Sequence, residues 1–216
     1  MANQNKAFDK SLEQLRNDIM TAANVYSVLA AHSYLYVFKD KFFELFFPTR
    51  CFRHLCGVSS TGKAEHFFRD AKAKRLAIKQ IVFDRSKRQN IRGAKKKACN
   101  LKSLLSFVTH QVIILENLQT QTFTYRIGVT DLSITLGLEK DRNLNNLYFP
   151  RTLRNDDNDV DRSGQAEFAD FVFEKELGLE DSKYDIVTFK NEDITPPTAI
   201  QHLVTYNLWN ELNQRV

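Results

Sequence analysis

Two short stretches of the chain combine residue types that could act on a phosphodiester. In Cys51-Phe52-Arg53-His54-Leu55-Cys56-Gly57-Val58 a histidine stands among apolar residues and beside an arginine. An imidazole exchanges its proton near neutral pH, so His54 is a candidate acid or base for phosphodiester cleavage or acyl transfer. The competing assignment is a hydrogen-bonded core histidine. His66, four residues after Gly62, is a second titratable group, on what reads as a helix surface. In Tyr148-Phe149-Pro150-Arg151-Thr152-Leu153-Arg154 two arginines three apart bracket a hydroxyl. Forked guanidinium hydrogen bonds can hold a phosphate while Thr152 donates to a nonbridging oxygen. Strand alternation puts Thr152 and Arg154 on one face and Arg151 and Leu153 on the other. Both arginines therefore reach one site only if Pro150 bulges the strand. A charged edge strand is the alternative.

Other chemistries fail on spacing. Gly57-Val58-Ser59-Ser60-Thr61-Gly62-Lys63 lacks the first glycine of a phosphate-binding loop, and Lys63 is followed by Ala64 instead of Ser or Thr. Asp156, Asp157, Asp159 and Asp161 suggest a calcium loop, but Asp161 stands where that loop needs glycine. Cys51, Cys56 and Cys99 cannot all pair and do not complete a zinc ligand set, so they read as reduced thiols. No metal or cofactor is expected.

The charge is strongly uneven. The net value is +5, yet Gly62 to Lys102 carries 14 Lys and Arg against 3 Asp and Glu, and Asn155 to Val216 carries 5 against 14. A +11 segment suits neutralisation of a polyanion, although a solvated helix face has the same composition. The −9 segment could screen it from within the molecule.

The elements that must position these groups follow from periodicity. Phe8, Leu12, Leu15, Ile19, Ala22, Ala23, Tyr26 and Leu29 recur at three and four, which predicts an amphipathic helix over 7–31. Tyr34–Phe38 and Phe42–Phe47 read as a hairpin closed by Pro48. A helix is expected over Lys63–Lys74 and a basic one over Gln89–Phe107, after an apolar stretch at Ile78–Phe83. From His110 the period becomes two, which predicts an antiparallel meander over 110–118, 122–129 and 132–138. A fourth strand over 147–154 and a fifth extended segment over 166–176 follow, with a mobile polar loop at 154–165. A last helix is expected over Ala199–Leu212, carrying the single Trp209.

The result is an α+β fold, with N-terminal helices and an aromatic hairpin followed by a meander sheet of four to five strands. One domain is expected over 1–175, and an acidic C-terminal extension ending in a helix over 176–216. Only 7 Gly and 4 Pro interrupt 216 residues, and 17 Phe can fill a core without disulfides or metal. The richest apolar stretch, Tyr34 to Phe47, is broken by Lys39, Asp40, Lys41 and Glu44, so no membrane span is expected. The first residues lack the apolar run of a secretory signal, which points to the cytoplasm.

The blocks Phe-Arg-His-Leu-Cys-Gly-Val at 52–58, Ala-Glu-His-Phe-Phe at 64–68, the basic helix around 94–104, Tyr125 to Leu138, and Tyr148 to Arg154 resemble the fourth phage-associated branch of the barnase/EndoU/colicin/RelE-like nuclease group. The resemblance covers about Tyr34 to Lys175. It implies a small helical part, a four-stranded antiparallel sheet, and metal-independent RNase activity of the kind found in toxins and mobile elements. The implied reaction is attack of a ribose hydroxyl on the adjacent phosphate. Carried to matching positions, His54 would be the acid or base, Arg151 would stabilise the phosphorane, and Thr152 would bind a nonbridging oxygen. Tyr125 or Arg126 would assist, one of them facing the cleft. Cys56 stands where many relatives have threonine. Lys63, Lys95, Lys96, Lys97 and Arg154 are the candidate RNA-binding residues.

Three functions are compatible with these features: a ribonuclease, a noncatalytic binder of RNA or ribonucleoprotein, and an inhibitor whose acidic region occupies a basic protein. An antitoxin or another protein partner would accompany the first. The oligomeric state is left open.

Overall fold

The computed structural model describes residues 2–120, 123–142, 147–154, 161–178, 182–192 and 194–214, with side chains from residue 8 onward. The chain divides into a helical unit, Met1–Ala30 with Pro48–Leu104, and a sheet unit, Ala31–Phe47 with Leu105–Val216. The division concentrates charge. The helical unit carries 19 Lys and Arg against 6 Asp and Glu, the sheet unit 12 against 20.

In the helical unit, α1 (Ala2–Leu29) buries Leu15, Ile19, Ala22, Ala23, Tyr26 and Leu29 of the expected stripe, while Leu12 is half-buried and Phe8 is exposed. Tyr26 donates its hydroxyl to the Pro48 carbonyl at 2.9 Å, and its ring meets Phe52 at 5.2 Å and Phe68 at 5.8 Å. These tilted aromatic contacts tie α1 to α2 (Thr49–Leu55) and α3 (Ala64–Lys72). The expected basic helix is shorter than its composition suggests. Asn90 caps α4 (Ile91–Leu101) by accepting from the Gly93 N–H at 2.8 Å, and α5 (Ser106–Thr109) belongs to the sheet unit.

The sheet unit holds nine described strands in the order β7-β3-β4-β5-β6-β2-β1-β8-β9. They are β1 (His32–Phe38), β2 (Lys41–Phe46), β3 (Ile113–Gln119), β4 (Thr124–Thr130), β5 (Thr135–Lys140), β6 (Leu147–Arg154), β7 (Gln165–Phe168), β8 (Phe171–Glu176) and β9 (Ile186–Lys190). The expectation of four to five strands is corrected. The meander is present, but the aromatic hairpin joins the same sheet through the parallel pairing of β2 with β6, and β8 pairs with β1. The single extended segment expected over 166–176 is two strands. Its Ala169-Asp170 corner breaks the run, and Asp170 Oδ2 accepts from the Lys39 N–H at 2.6 Å. The polar loop expected over 154–165 lies mainly outside the described residues.

The C-terminal residues belong to the core of this unit. Tyr184, Ile200, Val204, Trp209 and Leu212 pack with Leu35 and Val37 of β1 and Phe171 and Phe173 of β8. The final helix is a 3-10 turn, Thr198–Ile200, followed by α6 (Tyr206–Asn213). Tyr184 donates to Glu44 Oε2 at 2.7 Å and shares a hydrogen bond with Ser33 Oγ at 3.0 Å, which fixes this segment to β2 and β1.

Thr135 on β5 is fully buried, and its Oγ1 has no hydrogen-bond partner. An unpaired buried hydroxyl costs about 1–3 kcal/mol. Thr135→Val should therefore raise the melting temperature, by roughly 2–4 °C per kcal/mol recovered. A lower melting temperature would mean that the hydroxyl is satisfied in solution.

Candidate active site

The β6 strand carries the decisive geometry. Thr152 pairs with Gly137 of β5, but Leu138 pairs with Pro150, so Arg151 is an extra residue in the ladder. The burial pattern changes phase at the same place: Tyr148 and Pro150 are buried before the bulge, and Leu153 after it. Pro150 lacks an N–H, which makes it easier to accommodate beside a break in the ladder. The bulge carries Arg151, Thr152 and Arg154 on the face opposite those buried residues. The condition set by strand alternation for two arginines at one site is thus met.

Neighbouring strands add to this face. A Cβ on Gly137 would lie 2.8 Å from Thr152 Cγ2 and 3.0 Å from Tyr125 Cδ2, so only glycine lets the Tyr125 ring of β4 reach across to Thr152. Burial raises the Tyr125 pKa above its ordinary value, while the Arg151 and Arg154 charges pull it down and Glu139 pushes it up. The phenol therefore stays protonated at neutral pH and acts as a donor. Glu139 of β5 meets Arg151 Nε at 3.3 Å. Nothing in the sequence singles out that carboxylate. Period two on β5 places it with Gly137, but its meeting with Arg151 depends on the bulge.

Tyr125 and Arg126 separate as neighbours on a strand. Tyr125 joins the Arg151 group, whereas exposed Arg126 acts electrostatically on Tyr148.

His54 and the lysines stand in the helical unit. His54 is exposed in the last turn of α2, which excludes the core-histidine assignment. The following Gly57 adopts φ +72, and a Cβ there would lie 2.9 Å from Lys97 Cδ. Glycine thus permits both the left-handed turn after His54 and the passage of Lys97 across it. A hollow of about 100 Å³ is lined there by Gly57, Lys87, Arg88, Asn90 and Lys97 among others. Lys96 is exposed, Lys95 and Lys97 are half-buried, and Lys63 is exposed just before α3. His66 is an exposed residue of α3. Cys56 is fully buried with its thiol pKa raised by burial, so in this chain the position packs the core and presents no group to substrate.

Two outcomes test these placements. For the ribonuclease expected from the sequence, Tyr125→Phe should lower kcat/KM about tenfold, the worth of one good hydrogen bond. The raised Tyr125 pKa also means that its ionisation should produce no loss of activity between pH 7 and about 10. An unchanged rate in the variant would remove the phenol from the site. Replacing Lys95, Lys96 and Lys97 by Ala should reduce the slope of log affinity against log salt by about 0.7 for each phosphate of a single strand that is no longer neutralised. An unchanged slope would make them a solvated helix face.

The fold is thus an α+β one, with a basic helical unit that exposes a histidine and a mostly antiparallel sheet that carries arginines, a threonine and a phenol on one face. The chain belongs to PBECR4, the phage-Barnase-EndoU-ColicinE5/D-RelE like nuclease 4 family, whose profile matches residues 18–195. Neither the curated proteins nor the solved structures contain a match to it. Among the described residues, no helix is long and apolar enough to cross a membrane, and no group of three or more His, Cys, Asp or Glu is placed to hold a metal ion.

Proposed function

We propose that the protein is a metal-independent endoribonuclease of toxin or mobile-element type. The observation that carries this reading is the Arg151 bulge, which gathers Arg151, Thr152 and Arg154 beside Tyr125 and Glu139 on one sheet face. In the proposed reaction a ribose 2′-hydroxyl gives its proton to a base, and its oxygen attacks the adjacent phosphorus. The bond from phosphorus to the 5′-oxygen breaks, and the leaving oxygen takes a proton from an acid. The products are a 2′,3′-cyclic phosphate and a 5′-hydroxyl. Arg151 neutralises charge that grows on the phosphorane, and Thr152 and Tyr125 donate to its nonbridging oxygens. Glu139 is the carboxylate on the phosphate face able to accept the hydroxyl proton; the family resemblance implies proton transfer by His54 of the helical unit, a role that its own variant tests. The lysines of the helical unit add sequence-independent attraction for the RNA backbone.

The reading is tested by incubating the purified protein with total RNA in EDTA. Fragments ending in cyclic phosphate are expected. RNA that binds and stays intact would favour the noncatalytic binder. Failure to bind RNA, with tight binding to a basic protein, would favour the inhibitor.

A further inference from the structure

We infer that the Arg151 face selects single-stranded RNA by stacking bases on two aromatic platforms that flank its phosphate row. The inference rests on the reading of that face as phosphate-binding. The first platform is Phe123, 56% exposed immediately before β4, with its ring centroid 4.8 Å from that of Tyr125. The second is the half-buried pair Phe46 on β2 and Phe149 on β6, T-shaped at 6.1 Å.

Strand pairing places the second platform on the face that carries the arginines, and the Gly137 contact brings Tyr125, on which Phe123 rests, to the same face. Phe149 pairs with Glu139, whose carboxylate meets Arg151, and Tyr125 lies against the Gly137–Thr152 pair. In the order β4-β5-β6-β2, the phosphate row on β6 stands between Phe123 and Phe46. The outer strands of this group are three spacings apart, about 14 Å.

This arrangement favours one form of substrate. Bases in a duplex are stacked on each other and offer no free ring face, so a helix would meet only the arginines. An unpaired strand can lay bases on Phe123 and on the Phe46–Phe149 pair while its phosphate occupies the row between them. Aromatic stacking tolerates any base, so discrimination falls on strandedness more than on sequence.

Binding is measured in EDTA with a fluorescent 2′-O-methyl RNA 12-mer, which lacks the attacking hydroxyl, alone and annealed to its complement. The single strand should bind at least tenfold more tightly than the duplex. Phe123→Ala and Phe149→Leu should each weaken single-strand binding at least fivefold and leave duplex binding unchanged. Phe123 is exposed, so its variant keeps the fold, as an unchanged cooperative melt would establish; if Phe149→Leu melts early, Phe149→Tyr should retain single-strand binding. Equal affinity for both forms, or an unchanged single-strand affinity in Phe123→Ala, would overturn the inference. Cleavage of unmodified RNA without ring-dependent binding would overturn it and leave the nuclease reading intact. Ring-dependent, strand-selective binding without any cleavage would sustain it and overturn that reading.

Discussion

Arg151→Ala is expected to lower RNA cleavage about 100- to 1,000-fold, the effect of losing one preorganised donor at a site of developing charge. RNA affinity should fall far less, because the helical unit carries a +13 charge of its own and the guanidinium engages most strongly as the phosphorane forms. Glu139 would lose its partner in the variant, but the pair is surface-accessible, with side chains 56% and 35% exposed, so the fold should survive. His54→Ala is expected to cost a similar factor through proton transfer, again with binding retained. Single-turnover rates and binding constants measured on the same preparations check both variants. Parallel losses of binding and cleavage would reduce these residues to general RNA-binding groups.

Truncation after Lys175 is expected to abolish cooperative folding of the sheet unit. The cut removes Tyr184, Ile200, Val204, Trp209 and Leu212 from the cluster that covers β1 and β8, and it removes β9 from the sheet edge. Each of these side chains contributes about 1.5–3 kcal/mol by burial, so their sum rivals the whole stability of a typical domain, about 5–15 kcal/mol. Trp209→Ala tests the same packing at smaller cost, about 3–5 kcal/mol. A truncated protein with a sharp melt near that of the full chain would contradict this and make the segment dispensable for folding.

How much of the fold is legible in the sequence depends on the range of the interactions. The α1 helix is legible because its period is local and its stripe is buried from Leu15 to Leu29. The meander is legible because β3, β4 and β5 pair in sequence order. The parallel pairing of β2 with β6 is not, since about a hundred residues separate the partners and neither strand announces the other. The α2 helix escapes detection because it has only seven residues, too few for a period, and begins directly after Pro48. The β9 strand is half-exposed along most of its length and lacks the alternation that marks a strand buried on one face.

The site is half legible for the same reason. Arg151, Thr152 and Arg154 stand out by their types, and Pro150 marks the position where the strand would have to bulge. The bulge itself, and with it the presence of Tyr125 and Glu139 beside the arginines, depends on the register between β5 and β6. Gly137 carries no local signal, although its missing Cβ is what admits the Tyr125 ring.

The most direct measurement is a crystal structure of the full chain with a short RNA carrying a single 2′-deoxy nucleotide, which lacks the attacking hydroxyl at that step. The adjoining phosphate is expected within hydrogen-bond reach of the Arg151 guanidinium and the Thr152 hydroxyl, with the Tyr125 phenol on the same phosphate. A strand held only by Lys95, Lys96 and Lys97, with the β6 face bare of phosphate, would contradict the assignment of that face as the active site.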